Sequence, residues 1–131
     1  MIKQCTCCGR IKAYADFYLK NTSGRLSSAC KECDKDRAWR FKLKNAYNMT
    51  EEQYNEIHEY QQYGCAICGK PEGENNRRTR LTVDHCHTTG VVRGLLCHNC
   101  NSALGLLGDD TDRFERAIIY LRESKSEFTC R

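Results

Sequence analysis

The groups best suited to chemistry lie near the middle of the chain. Asp84, His85 and His87 fall within four residues, and Asn101 comes one position after a Cys-x-x-Cys pair. A carboxylate and a carboxamide oxygen are hard ligands that suit Mg2+ or Mn2+ rather than zinc. A neutral imidazole beside them can take a proton from water. A divalent ion held there can stabilise the charge that builds on phosphate oxygens and on a leaving oxygen. Asp84, His85 and Asn101 are thus the parts of a metal-dependent phosphodiesterase.

Distant residues need a frame, and the cysteines supply one. Eleven are present, eight of them as Cys5/Cys8, Cys30/Cys33, Cys65/Cys68 and Cys97/Cys100. Two residues between thiols let a tight turn aim both sulfurs at one ion, and two such knuckles complete a tetrahedral zinc site. Sequential pairing, first with second and third with fourth, closes shorter loops than an interleaved arrangement and is the expectation. It gives two structural zinc sites and two lobes, 1–49 and 50–131. An odd cysteine total and an N-terminus with no apolar stretch argue against a disulfide framework and for a reducing, cytoplasmic setting. No βαβ pattern surrounds any pair, which argues against a thioredoxin-like role. Cys7 competes with Cys5 and Cys8 as a ligand, whereas Cys86 and Cys130 read as plain small residues.

The elements follow from local pattern. The N-terminal lobe reads as knuckle, short hairpin turning at Asn21-Thr22-Ser23-Gly24, knuckle, then a helix over Asp34–Asn45 with Ala38, Phe41 and Trp39 inward. Asn45 to Met49 reads as a linker. Thr50-Glu51-Glu52-Gln53 is a capping box that starts a helix running to about Gln62, with Tyr54, Ile57 and Gln61 on one face. His58 on that helix is expected as a surface or core residue rather than a ligand. Leu81–His85 and Val91–Leu95 form a hairpin around Thr88-Thr89-Gly90, and a helix follows from His98 to Leu107, ended by Gly108. The hairpin carries Asp84, His85 and His87 toward the start of the helix that carries Asn101, where the helix dipole favours an anion. Strict alternation puts Asp84 and His85 on opposite faces, an arrangement in which a phosphate would lie between metal and base. A last helix, capped at Asp109 or Asp110, has Phe114, Ala117, Ile118 and Leu121 on one stripe, expected to pack on the core.

Composition narrows the possibilities. Leu, Ile, Val and Phe together number 23 of 131 residues, too few for one large core, so a metal staple is needed. No apolar run approaches a membrane span, and no G-x-x-x-x-G-K-[ST] loop for a nucleotide cofactor is present. Residues 1–49 hold eleven basic and four acidic residues, which suggests an acidic polymer as partner. Arg37, Arg40 and Lys44 on the first helix would face phosphates, as would Arg77, Arg78 and Arg80 in the polar loop after Cys68. A zinc deaminase is excluded, because residues 85–87 read His-Cys-His rather than H-x-E and Leu96 rather than Pro precedes Cys97.

Three stretches resemble a known family. Cys65-Ala66-Ile67-Cys68-Gly69, Val83-Asp84-His85-Cys86-His87 and Val92-Arg93-Gly94-Leu95-Leu96-Cys97-His98-Asn99-Cys100-Asn101, with Leu104-Gly105, are similar to the phage recombination endonuclease VII family. That family belongs to the HNH, ββα-metal or His-Me finger nucleases. The resemblance spans roughly residues 50–123. It implies a small zinc-stabilised α+β fold, in which a ββα-metal core is preceded here by a zinc-knuckle lobe and basic helix. It also implies structural zinc on Cys65, Cys68, Cys97 and Cys100, a catalytic ion on Asp84 and Asn101, and His85 as general base. His87 would support the phosphate, Arg93 would clamp a phosphate, and the products would be 5′-phosphate and 3′-hydroxyl ends. The family's junction-resolving members carry a long helical C-terminal region, against Asp109 to Arg131 here. A small DNA-nicking or DNA-cleaving enzyme of phage type, monomeric rather than an intertwined dimer, is therefore expected ahead of a Holliday-junction resolvase or a non-catalytic zinc module that binds nucleic acid.

Overall fold

Every Cys-x-x-Cys pair sits where the chain reverses or enters a helix. The computed structural model describes residues 1–20, 24–74 and 80–123. Arg77, Arg78, Cys130 and most of the turn expected at Asn21–Gly24 lie outside the described residues. The chain divides into two compact units, Met1–Glu56 and Ile57–Arg131, with the boundary inside a helix.

In the first unit, strands β1 (Ile2–Gln4) and β2 (Ile11–Ala13) pair antiparallel around the first knuckle. This hairpin was not anticipated, because three-residue strands leave almost no periodic signal. After a single 3-10 turn, β3 (Phe17–Leu19) pairs with β4 (Leu26–Cys30). Cys5, Phe17, Ala29 and Cys30 are buried together, with Leu26 and Cys33 packed against them.

Helix α1 spans Lys31–Tyr47, longer at both ends than expected. It starts directly after Cys30, so Cys33 lies in its first turn, and it takes up most of the stretch read as a linker. Asn48 closes it in the left-handed conformation (φ 49°) and Met49 is buried. The inward face also differs from expectation. Phe41 is 70% exposed and Ala38 is exposed, while Leu43 is buried. Trp39 is half-buried, with Tyr54 edge-on at 5.0 Å. The basic residues of α1 left too weak an apolar stripe to fix its rotation.

Helix α2 (Glu51–Tyr60) begins with the expected capping box. The Thr50 amide donates to Gln53 Oε1 at 2.9 Å and the Gln53 amide to Thr50 Oγ1 at 3.2 Å. Past its end, Gln61 grips strand β6 (Val92–Leu96). Its Oε1 accepts from the Leu95 amide at 2.8 Å, and its Nε2 donates to the Leu95 carbonyl at 2.9 Å. One amide side chain thus satisfies both backbone groups of a strand residue, as a neighbouring strand would. The grip requires glycine at position 94, where a Cβ would sit 2.9 Å from Gln61 Oε1.

Strand β5 (Thr82–His85) pairs antiparallel with β6, Thr82 opposite Leu96 and Val83 opposite Leu95. Helix α3 (His98–Leu106) packs on both strands. This β5–β6–α3 unit is the expected hairpin and helix, and it holds Leu81, Val83, Leu95 and Leu96 buried. Helix α4 (Thr111–Arg122) is capped by Asp110, whose side chain accepts from the Asp112 and Arg113 amides. Its apolar stripe does not lie in the core as expected. Phe114 and Ala117 are half-buried, and Ile118 and Leu121 are 46% and 72% exposed. Helical periodicity reports one apolar face but not whether a partner element covers it. Among the described residues no helix is long and apolar enough to cross a membrane.

Candidate metal centres and active site

The four thiols of Cys5, Cys8, Cys30 and Cys33 lie within 4.8 Å of one another, as do those of Cys65, Cys68, Cys97 and Cys100. The knuckles therefore pair sequentially. Cys5 Sγ and Cys33 Sγ are 3.9 Å apart, and Cys68 Sγ and Cys97 Sγ are 3.8 Å apart. A tetrahedron of sulfurs about 2.3 Å from zinc has edges of about 3.8 Å, so both cages fit the ion. Electrostatics agrees. Backbone amides, that of Cys8 foremost, pull the Cys5 thiol down to about 6. Burial pushes Cys65 up, but the amides of Cys68, Cys97 and Ile67 outweigh it and leave that thiol at about 6. Cys33 and Cys100 are driven well above the usual thiol range, Cys33 chiefly by the Cys30 thiol and Cys100 by burial and its three neighbours. Four thiols this close can all ionise only around a cation, and zinc is the divalent ion this donor set suits. Cys7 is exposed, and its amide donates to Cys5 Sγ at 3.4 Å.

The candidate site residues lie between and just after the knuckles of the second cage. Between Asp84 and His85 the β5–β6 register shifts: Asp84 faces Gly94 and His85 faces Val92, which leaves Arg93 as an extra residue on β6. A bulge of this kind bends the strand and re-aims a side chain. It also breaks the strict alternation that simple strand reasoning gives to Asp84 and His85. Asp84 is the one buried charged residue among those described, 7% exposed. Arg93 reaches it through two bonds, Nε to Oδ2 at 2.7 Å and Nη2 to Oδ1 at 3.0 Å. The same Nη2 donates to Asp109 Oδ2 at 3.1 Å. The bonds to Asp84, and then those to Asp109, hold the Arg93 charge more firmly than usual. Asp84 and Arg93 border an open cavity of about 230 Å³ with Ala66, Ile67, Gly94, Leu96 and Leu104.

His85 is half-buried at the end of β5, with its ring 4.9 Å from that of exposed His87. Asn101 is half-buried in the first turn of α3, its amide bonded to the Cys97 carbonyl at 3.0 Å. Cys86, between the two histidines, is drawn down to about 7 by the Thr89 hydroxyl and the Thr89 and Thr88 amides. His58 is half-buried, 3.8 Å from Glu72 and edge-on to Tyr63.

From the sequence, Arg93 is equally a phosphate clamp or a surface hairpin arginine; within the protein it bonds Asp84 and Asp109. Asp109 itself was missed as a site residue and considered only as a helix cap. The available signal was the Gly108-Asp109-Asp110 run, in which one carboxylate is more than the α4 cap needs. Of the expected DNA contacts, Arg37 is ion-paired with Asp34, Arg40 Nε donates to Glu51 at 2.7 Å, Lys44 is exposed and Arg80 is half-buried.

A hairpin and helix pinned by four thiols, with Asp84 and His85 on the hairpin and Asn101 on the helix, make a small ββα core. Residues 40–123 match the family described as recombination endonuclease VII, and the chain belongs to that family. It is 44% identical over 87 residues to the Gene 59 protein of Mycobacterium phage D29, which covers 66% of this chain and 51% of that one. The Gene 59 protein of Mycobacterium phage L5 is 42% identical over 85 residues, covering 64% and 50%. The chain thus spans about half the length of these relatives. A looser likeness, at TM-score 0.42 and 26% identity, links 95% of this chain and 66% of the other to the crystal structure of the beta-beta-alpha-Me type II restriction endonuclease Hpy99I.

Proposed function

We propose that this chain is a divalent-metal-dependent DNA endonuclease that hydrolyses phosphodiester bonds to 5′-phosphate and 3′-hydroxyl ends. The observation that carries the reading is a buried carboxylate, Asp84, on a zinc-anchored hairpin next to an imidazole, His85, within the stretch matched to an endonuclease family. The Arg93 guanidinium supplies the cation that a buried carboxylate needs, and the same carboxylate is a hard oxygen donor. Its donor chemistry, with the Asn101 carboxamide, suits Mg2+ or Mn2+. These two residues would hold the ion, which supplies charge stabilisation at the phosphate and the leaving oxygen.

His85 is the general base, taking a proton from the attacking water through a ring nitrogen. Half-buried, it keeps one side open to solvent and substrate. His87 stands beside it, exposed, to donate to a phosphate oxygen and to fix the orientation of the His85 ring. The exposed cations of α1, Lys44 foremost, bind the DNA backbone without reading its sequence. The family relationship to mycobacteriophage proteins supports a phage-borne enzyme acting in the host cytoplasm.

Purified protein incubated with supercoiled plasmid and Mg2+ or Mn2+ tests this. Conversion to nicked or linear DNA, abolished by EDTA and by His85→Ala with the zinc content intact, is the expected result. Equal cutting by His85→Ala would remove His85 as base. No cutting of plasmid, linear, single-stranded or four-way-junction DNA by the parent would leave a zinc module that only binds nucleic acid.

A further inference from the structure

The bulge at Arg93 and the backbone of Asp109 point to an exchange built into the site. Both oxygens of Asp84 are taken by one guanidinium. Each oxygen keeps a second lone pair, but an ion approaching from the Arg93 side would have to displace at least one of those bonds. Arg93 cannot retreat far, since it is the extra residue of the bulge and its strand is gripped by Gln61 at Leu95. A second seat is within its reach, because Nη2 already touches Asp109.

That second seat is held by an unusual backbone. Asp109 has φ 53°, directly after Gly108 at φ 71°. A residue with a side chain rarely adopts this conformation, and where one does the surroundings impose it. Here the Asp109 amide donates to the Leu104 carbonyl at 3.0 Å, closing the end of α3. The neighbouring α4 does not need this carboxylate, because Asp110 already caps it. What the conformation gains is a second carboxylate on the same Nη2 that bonds Asp84.

We infer that Arg93 is a tethered cation that neutralises Asp84 in place of a divalent ion and shifts onto Asp109 when one binds. The inference rests on Asp84 as a metal ligand. It assigns Asp109 as a positioning residue and Arg93 as the competitor that sets metal affinity. It also reconciles two partners for one arginine: once moved to Asp109, the guanidinium has donors free for a phosphate, so loading the ion and gripping the DNA backbone become one event. Without the ion the carboxylate is never left buried and unpaired, which keeps the hairpin folded.

Mn2+ binding without DNA, followed by electron paramagnetic resonance, tests this independently of cleavage. Zinc-loaded parent protein is compared with Arg93→Gln, Arg93→Lys, Asp109→Asn and Asp84→Asn. Arg93→Gln should bind Mn2+ about tenfold more tightly, the scale of losing one charge-assisted bidentate competitor. Arg93→Lys, which keeps the charge but not the fork, should fall between it and the parent. Asp109→Asn should bind more weakly. Thermal melting gives a second readout: Arg93→Gln should melt lower than the parent without Mn2+ and gain more from adding it.

If Arg93→Gln and Arg93→Lys bind Mn2+ no more tightly than the parent while Asp84→Asn abolishes binding, the exchange is wrong and the metal reading stands. If the parent shows no Mn2+ site that depends on Asp84, the nuclease reading fails and takes the exchange with it. Should Arg93→Gln not fold, Arg93→Lys decides.

Discussion

In the first unit, strand β4 ends on Cys30 and runs straight into α1. In the second, β6 stops one residue before Cys97, which caps α3. Each hairpin contains a register shift, and each Cys₄ cage joins a loop knuckle to a knuckle at the helix start. The two therefore share one plan, two strands and a helix pinned by four thiols. They part company in what the plan carries. Strand β3 holds Phe17, Tyr18 and Leu19, whereas β5 holds Asp84 and His85. The residue after the helix knuckle is Asp34 in one and Asn101 in the other. The staple sets the fold and leaves the chemistry free: one copy of the plan builds an apolar cluster under a basic helix, and the other builds a polar centre.

The comparison is broken or sharpened most sharply at the cages. The cluster around the first cage has four buried residues, two of them cysteines, too little to stand without an ion. Structural zinc contributes about 10–16 kcal/mol of apparent binding free energy in small peptides, comparable to the whole stability of a domain. Cys30→Ser and Cys97→Ser should each lower zinc from two to one per chain by elemental analysis and each unfold its own unit. Only Cys97→Ser should abolish plasmid cleavage, because Cys30→Ser leaves the polar centre intact and at low salt should still cut. Cleavage by Cys97→Ser would place the chemistry outside the second unit.

A smaller and cleaner loss should follow a change on the hairpins themselves. His85→Ala should slow cleavage about 10²–10⁴-fold, the usual worth of a positioned base, with circular dichroism and zinc unchanged. The same truncation in the other hairpin, Tyr18→Ala, should leave the rate within about twofold, since exposed Tyr18 stands in no proposed site. Equal losses at both positions would mean that the hairpins act through stability rather than chemistry.

The cages were legible in the sequence because a tetrahedral ion imposes a spacing that survives any register error. The β5–β6–α3 unit was legible for a related reason: its knuckles bracket it, and its turn and cap residues are unambiguous. The rotation of α1 was not. Leu43 points inward and Phe41 outward, yet the helix is so polar that either choice fits the pattern. The Arg93 pairing was hidden by the bulge, since strand alternation assumes one residue against one. Asp109 was hidden because positive φ is readable for glycine but not for aspartate. The pattern placed most elements to within three residues, and the side chains that matter turn on single-residue events.

The basic helix offers a graded test of the same division. DNA affinity should fall with salt, with a log–log slope near −0.9 per phosphate neutralised. Lys44→Ala should reduce that slope by roughly one contact without altering cleavage at saturating DNA. Arg40→Ala should matter less, because Arg40 already spends its Nε on Glu51. If Lys44→Ala changed the saturated rate, the first unit would be part of the catalytic machinery and not only an anchor.

The least effect is expected on α4, and there it is most informative. A buried leucine reduced to alanine costs about 2–5 kcal/mol, while surface changes stay within about 0.5 kcal/mol. Leu95 on β6 is fully buried, whereas Leu121 lies 72% exposed on the stripe that periodicity assigned to the core. Leu95→Ala should lower the melting temperature steeply and Leu121→Ser hardly at all. A large loss at Leu121 would mean that this face is covered in solution. The cover would then be a second copy if the melting temperature rises with protein concentration, and a segment of the same chain if it does not.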